Sequence, residues 1–171
     1  SNYIYKTPQV DSIPLSTVNQ KVSLKLESMQ ITGSFKLRGA INKLLSLNEE
    51  QKNRGVIAVS TGNHGKGVAY AAKQLGIKSK IFMSELVPTY RRNAIESLGA
   101  DIEIVGTNSD EADHHAREYA IKNNVELVHP FDDLEIIAGQ GTIGLEMLEA
   151  MPNVDTVIVP TSGGGLVGGV A

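Results

Sequence analysis

"GVIAVSTGNHGKGVAYAAKQLG", residues 55–76, reads as strand, tight turn and helix in one stretch. Residues 55–60 form an unbroken apolar run, the pattern of a parallel strand covered on both faces. "TGNHG" then turns the chain, and residues 66–76 continue as a helix ending on glycine. The same alternation extends outward. Residues 78–84, 101–106 and 125–130 read as strands, and 87–100 (Pro88 near its first turn), 109–124 and 141–151 as helices. Residues 154–160, "VDTVIVP", read as another buried strand, and 21–27, "KVSLKLE", alternate like a half-buried one. Strands alternating with helices of 10–15 residues describe an α/β protein with a parallel, doubly wound sheet. The chain reaches Ala171 within a glycine-rich turn that normally feeds a covering helix. It is therefore expected to be the N-terminal part of a longer protein, lacking the C-terminal half.

The 171 residues are 41% hydrophobic, enough for one good core or two small ones. The net charge is −3, with both signs scattered and no basic stripe, which argues against a nucleic-acid partner. Cysteine is absent, so disulfides and thiolate chemistry are excluded. No apolar run approaches the roughly 20 residues that span a bilayer, so no membrane partner is expected. The start "SNYIYKTPQV" lacks the regions of a signal peptide, and a cytoplasmic protein is the expectation.

Glycine is the informative residue, with 17 copies clustered at 62–67, 139–144 and 163–169. "VIVPTSGGGLVGG" places three consecutive glycines after a strand, so that backbone N–H groups can converge on an anion. Gly163, Gly165 and Gly168 also match G-x-G-x-x-G, a weak pattern alone, and one that keeps a nucleotide-binding regulatory domain as a reading of another class. No Lys-Ser/Thr follows, which rules out a Walker A loop. In "STGNHG", Ser60, Thr61, Asn63 and His64 sit at the carboxyl end of a buried strand, where open α/β sheets bind ligands. Ordinary capping by Ser60, Thr61 or Asn63 is the bland alternative.

"TGSFKLRGA", residues 32–40, precedes "INKLLSLNEE", which reads as helix. Capping by Thr32 or Ser34 would put Lys36 in the first turn, where the helix field opposes its charge. A harmless surface lysine is one reading. The other is an ammonium destabilised by dipole and burial, leaving a neutral amine able to form a Schiff base or act as a base. His114 with Asp110 or Glu118 has metal-ligand spacing, but a solvated helix face is preferred and no metal is expected. Asp132 and Asp133 in "HPFDD" read as turn caps. The glycines of "AGQGTIG" suit a hinge or close helix packing, with Gln140 a candidate pocket donor.

Together these segments resemble the fold-type II pyridoxal-phosphate enzymes, in particular the threonine/serine dehydratase and serine racemase group. "KLESMQITGSFKLRGA" is similar to its cofactor-lysine segment, "STGNHGKGVAYAAKQLGI" to its asparagine loop, "VHPFDDLEIIAGQGTIGLEML" to its hinge region and "VPTSGGGLVGG" to its phosphate loop. "FMSELVP" and "SGGGL" look closest to the dehydratases found with ectoine utilisation. The resemblance implies a tryptophan synthase beta-like fold of two domains: a large one from 1–56 plus 141–171, and a small inserted one at 57–140. It implies pyridoxal 5'-phosphate as cofactor, bound to Lys36, which would also shuttle the Cα proton. Asn63 would bond the ring hydroxyl oxygen, Phe35 would flank the cofactor, and Gly163, Gly164, Gly165 and Leu166 would bind its phosphate. Ser60, Asn63 and His64 would hold the carboxylate of a small amino-acid substrate, with Thr61 and Gln140 nearby.

The implied reaction is dehydration of a hydroxy amino acid such as threonine or serine to a 2-oxo acid and ammonia, by a homodimer when full length. Racemases of this group have serine where this chain has Thr61, so serine racemase is the alternative. Ser162 replaces a glycine common in the group, and its hydroxyl could add a bond to phosphate. The fragment itself is expected to be inactive.

Overall fold

The computed structural model describes residues 2–171. A short antiparallel pair opens the chain, β1 (Gln9–Asp11) with β2 (Ser23–Lys25), followed by a 3-10 turn at Glu27–Met29. Helices α1 (Lys36–Ser46) and α2 (Glu49–Arg54) come next. The apolar-then-charged tail read as one helix is thus two. Asn48 breaks it: its side chain accepts from Gln51 N while Gln51 returns a bond to Asn48 N, a complete capping box.

The central unit alternates β3 (Val56–Val59), α3 (Asn63–Leu75), β4 (Ser79–Met83), α4 (Thr89–Glu96), β5 (Asp101–Ile104), α5 (Ser109–Asn123) and β6 (Glu126–Leu127). All four strands are parallel, in spatial order β5-β4-β3-β6. The period of two divides the strands between two cores. Val56, Ala58, Ile81 and Met83 pack with α1, α3 and α4, whereas Ile57 and Phe82 pack with Ala116 of α5. Helices on both faces are what makes the strands continuous apolar runs.

The strand order fixes where a ligand can sit. From β3 the chain adds β4 and β5 on one side, then returns to lay β6 on the other. The order reverses between β3 and β6, and the loops leaving these two strands flank a crevice at their carboxyl ends. Those loops are 60–62 and 128–133.

The remaining helices are α6 (Leu134–Ala150) and α7 (Gly165–Val170). α6 begins earlier than the 141–151 expected, capped by Asp133, whose carboxylate accepts from Glu135 N and Ile136 N. Its glycines serve close packing rather than a hinge. A Cβ at Gly139 would lie 2.6 Å from the Arg38 carbonyl oxygen, and one at Gly141 would strike the Gly169 carbonyl. The expected domain boundary at 140/141 falls inside this continuous helix.

Residues 154–160 are not the buried strand expected. Among the described residues no strand runs beside them, so they have no ladder to join, and Ile158 is exposed. The strands expected at 21–27 and 125–130 shrink to three and two residues.

Beneath α1, Arg38 is buried in a charge network. Its guanidinium meets Glu27 at 2.8 Å and Glu146 at 2.6 Å, and Lys25 meets Glu146 at 2.5 Å. Two cations and two anions balance, tying β2, the 3-10 turn, α1 and α6 together.

Candidate active site

Lys36 is the first residue of α1, as expected, but the capping is not. Phe35 stands at the N-cap in helical conformation, and neither Thr32 nor Ser34 caps the helix. Their hydroxyls are buried without a hydrogen-bond partner among the described residues. The turn is closed instead by backbone, Arg38 N donating to the Phe35 carbonyl at 3.0 Å. Gly39 N is satisfied from the side by Gln140 Oε1 at 3.2 Å. Gln140 Nε2 is buried with no hydrogen-bond partner among the described residues. It is buried between α1 and α6 and does not line the cavity beside Lys36.

The Lys36 amine donates to the Pro130 carbonyl oxygen at 2.7 Å and lies 5.2 Å from the centre of the Phe35 ring. Burial lowers its pKa below the ordinary lysine value, and its place in the first turn works in the same direction.

A cavity of about 310 Å³ opens beside it, lined by Phe35, Lys36, Phe131 and residues 160–167. The structure thus joins Phe35, Lys36, Ser162, Gly163, Gly164, Gly165 and Leu166 in one place. The glycines are required there. A Cβ at Gly163 would enter the Phe131 ring, and one at Gly165 would lie 2.8 Å from the Phe131 carbonyl oxygen. Gly164 has φ +90° and caps α7.

The β3–α3 turn lies at the neighbouring crevice. α3 packs its first turns on α1, a Cβ at Gly67 falling 3.2 Å from the Lys36 carbonyl. The α3 N-cap is Gly62, which has no side chain to cap the helix. Ser60 Oγ accepts from Gly62 N at 3.2 Å, whereas Thr61 and Asn63 show no side-chain hydrogen bond among the described residues. Asn63 is exposed and Thr61 half-buried. The His64 ring goes elsewhere. It is 4% exposed, and Nε2 donates to the Val128 carbonyl oxygen at 2.8 Å. Burial pushes its pKa down from 6.5 to about 4, aided by the nearby Lys36 and His129 charges. Ser60, Thr61, Asn63 and His64 do not line the Lys36 cavity.

Two residues escaped the sequence reading: Pro130, which supplies the acceptor for Lys36, and Phe131, which walls the glycine turn. The sequence reading gives "HPFDD" as turn caps within a hinge-like segment, with no site role for Pro130 or Phe131. The signal that could have found them is topological, since this loop leaves the strand across the order reversal from β3. His114 pairs with Glu118 at 3.3 Å on an exposed helix face. No helix among the described residues is long and apolar enough to cross a membrane.

The donor set fits a phosphorylated aldehyde. An amine held at 2.7 Å by one carbonyl faces a turn whose backbone cannot accept side chains at Gly163 and Gly165. Such a turn offers N–H groups to a phosphate and the amine can bond a carbonyl carbon.

Comparison with known proteins agrees. The chain is 49% identical over 171 residues to the catabolic L-threonine dehydratase TdcB of Staphylococcus aureus (strain USA300), covering 99% of this chain and 49% of that protein. Among solved structures, the processed threonine deaminase isoform 2 of Solanum lycopersicum superposes with a TM-score of 0.96 at 38% identity, covering 99% of this chain and 47% of that one. Serine racemase of Dictyostelium discoideum superposes at 0.92 with 37% identity, covering 98% and 55%. The chain spans about half the length of the curated relatives it matches. A family model described as pyridoxal-phosphate dependent enzyme matches residues 1–171, which leaves the nucleotide-binding reading of Gly163, Gly165 and Gly168 without support. With its lysine, its glycine turn and its whole length accounted for, the chain belongs to the pyridoxal-phosphate-dependent enzymes, within the fold-type II threonine/serine dehydratase group.

Proposed function

We propose that this chain forms the lysine-bearing part of a dehydratase (ammonia-lyase) that converts threonine or serine to a 2-oxo acid and ammonia. The observation that carries the reading is the single cavity shared by the Lys36 amine and the Gly163–Gly165 turn. Identity of 49% to a protein named as a threonine dehydratase supports the substrate class. When bound, pyridoxal phosphate supplies a sink for the electron pair left at Cα, which lets a β-hydroxyl depart.

The side chains do the rest. Lys36 would hold the cofactor's aldehyde carbon, and its Nζ, whose lowered pKa makes the neutral amine accessible, would take the Cα proton. The N–H groups of residues 163–166 hold the phosphate, with the Ser162 hydroxyl beside them and Phe35 flanking the ring. Asn63 takes the ring hydroxyl oxygen. The Ser60 and Thr61 hydroxyls and the first-turn N–H groups of α3, those of Asn63 and His64 included, receive the substrate carboxylate. Residues 57–140 would form the small inserted domain, and a cytoplasmic homodimer is part of the same proposal.

Serine racemase is the second reading, favoured by the uncommitted Thr61 hydroxyl and the likeness to the Dictyostelium enzyme. The primary test uses the full-length chain loaded with pyridoxal phosphate and reduced with borohydride. Mass spectrometry should place the cofactor on Lys36, and threonine should yield a 2-oxo acid. Cofactor found on another lysine, or unchanged loading in Lys36→Ala, would overturn the assignment.

A further inference from the structure

We propose that His64 is a positioning residue for Lys36, acting through the loop that follows β6. This rests on the reading of Lys36 as the reactive amine. β6 is only two residues long, and its ladder ends where Val128 N donates to the Ile57 carbonyl at 2.8 Å. Beyond that point the loop needs other anchors. Among the described residues the Val128 carbonyl has no backbone donor, and it takes the His64 Nε2–H at 2.8 Å instead. Two residues later the Pro130 carbonyl takes the Lys36 amine at 2.7 Å.

His64 thus links two parts of the site. It belongs to the first turn of α3, next to Asn63, and it holds the strand end that aims the acceptor at Lys36. A carbonyl only accepts, so Nε2 must carry a proton, and burial keeps the ring neutral, which leaves Nδ1 as a bare lone pair. Nδ1 is buried without a partner among the described residues. The ring is neutral because burial disfavours its charged form. The groups that face the ring with charge are Lys36 and His129, and both disfavour its protonation.

The test reads Lys36 directly, without cofactor or turnover. In the full-length chain without cofactor, acetylation of Lys36 by acetic anhydride is followed against pH by mass spectrometry. His64→Leu removes the N–H, and His64→Gln returns an amide N–H within reach of the Val128 carbonyl. Without a fixed acceptor the ammonium is less favoured, so Lys36 in His64→Leu should label about tenfold faster near neutral pH, equal to about one unit of pKa. His64→Gln should restore the slow rate to within about threefold. A folded Leu variant that labels like the parent overturns the proposal, as does a folded Gln variant that fails to restore the rate. If His64→Leu does not fold, nitrogen-15 NMR of the unaltered protein decides. A protonated Nε2 hydrogen-bonded to a carbonyl at pH 6 supports the bond, and a neutral Nδ1–H ring with bare Nε2 overturns it. Failure of this proposal is separable from failure of the proposed function, which borohydride trapping on Lys36 tests independently.

Discussion

The Lys36 amine and the Pro130 carbonyl oxygen, 94 residues apart in sequence, meet at 2.7 Å. The contact joins the first turn of α1 to the loop after β6 and sets the amine against the wall that Phe131 shares with the glycine turn. Its geometry explains how a lysine is kept in a place unfavourable to its charge.

That unfavourable place has a measurable sign. A lysine whose folded pKa is lowered binds fewer protons folded than unfolded between the two values, so stability rises with pH across that window. Below the window the full cost of the buried ammonium is present. Lys36→Met in the full-length chain should therefore be at least as stable as the parent at pH 7, and should lose the parent's gain in stability as pH rises toward 10.5. Urea titrations at pH 7 and pH 10 check this, and a variant markedly less stable at pH 7 would contradict it.

His64 predicts an acid limit. Its folded pKa of about 4 lies below its ordinary 6.5, so the unfolded chain binds the extra proton in between. Stability from this group is intact above pH 6.5 and declines as pH falls toward 4, by on the order of a few kcal/mol. His64→Gln should lose less stability than the parent between pH 7 and pH 4.5 in calorimetry.

The glycine turn is tested by adding one methyl. Gly163→Ala drives a Cβ into the Phe131 ring, while a Cβ at Gly168 meets nothing closer than 4.0 Å. Gly163→Ala should weaken binding of pyridoxal phosphate to the full-length chain by tenfold or more, about 1.4 kcal/mol, whereas Gly168→Ala changes it little. Phe131→Ala combined with Gly163→Ala should recover part of the loss, since neighbouring sites couple. Fluorescence titration measures each.

Arg38 is balanced by Glu27 and Glu146, with Lys25 as the second cation. Arg38→Leu leaves two carboxylates against one ammonium in a mostly buried site. The expected destabilisation is about 3–5 kcal/mol by urea unfolding. A loss under about 1 kcal/mol would mean the network relaxes into water.

Thr61 separates the two enzymatic readings. If its hydroxyl is held too far off for proton transfer, Thr61→Ser should raise D-serine formation by the full-length enzyme, and Thr61→Ala should leave it undetectable while dehydration persists. Equal D-serine from the Ser and Ala variants would remove residue 61 from racemisation.

Much of the fold was legible because buried parallel strands carry their own pattern. Residues 55–60, 78–84 and 101–106 were apolar enough to read as strands, and Gly76 marked the end of α3 through its left-handed conformation. Residues 154–160 misled for the same reason: an apolar run has strand character, but a strand exists only beside a partner. The glycines of 139–144 were ambiguous because close packing and flexibility demand the same residue. Pro130 was illegible as a contributor because it acts through its carbonyl, and Gln140 was legible as a polar candidate but its contact with Gly39, 101 residues away, was not.

By itself, then, the sequence determined the alternation of strand and helix, the glycine turn and the lysine that together point to a phosphorylated aldehyde. Those properties are local, set by side-chain period, backbone freedom and charge. Tertiary structure alone decided that β6 returns beside β3, that Pro130 receives Lys36, that Phe131 walls the glycine turn and that His64 is spent on Val128. Each depends on where the sheet order reverses, a relation among distant segments that no single stretch encodes.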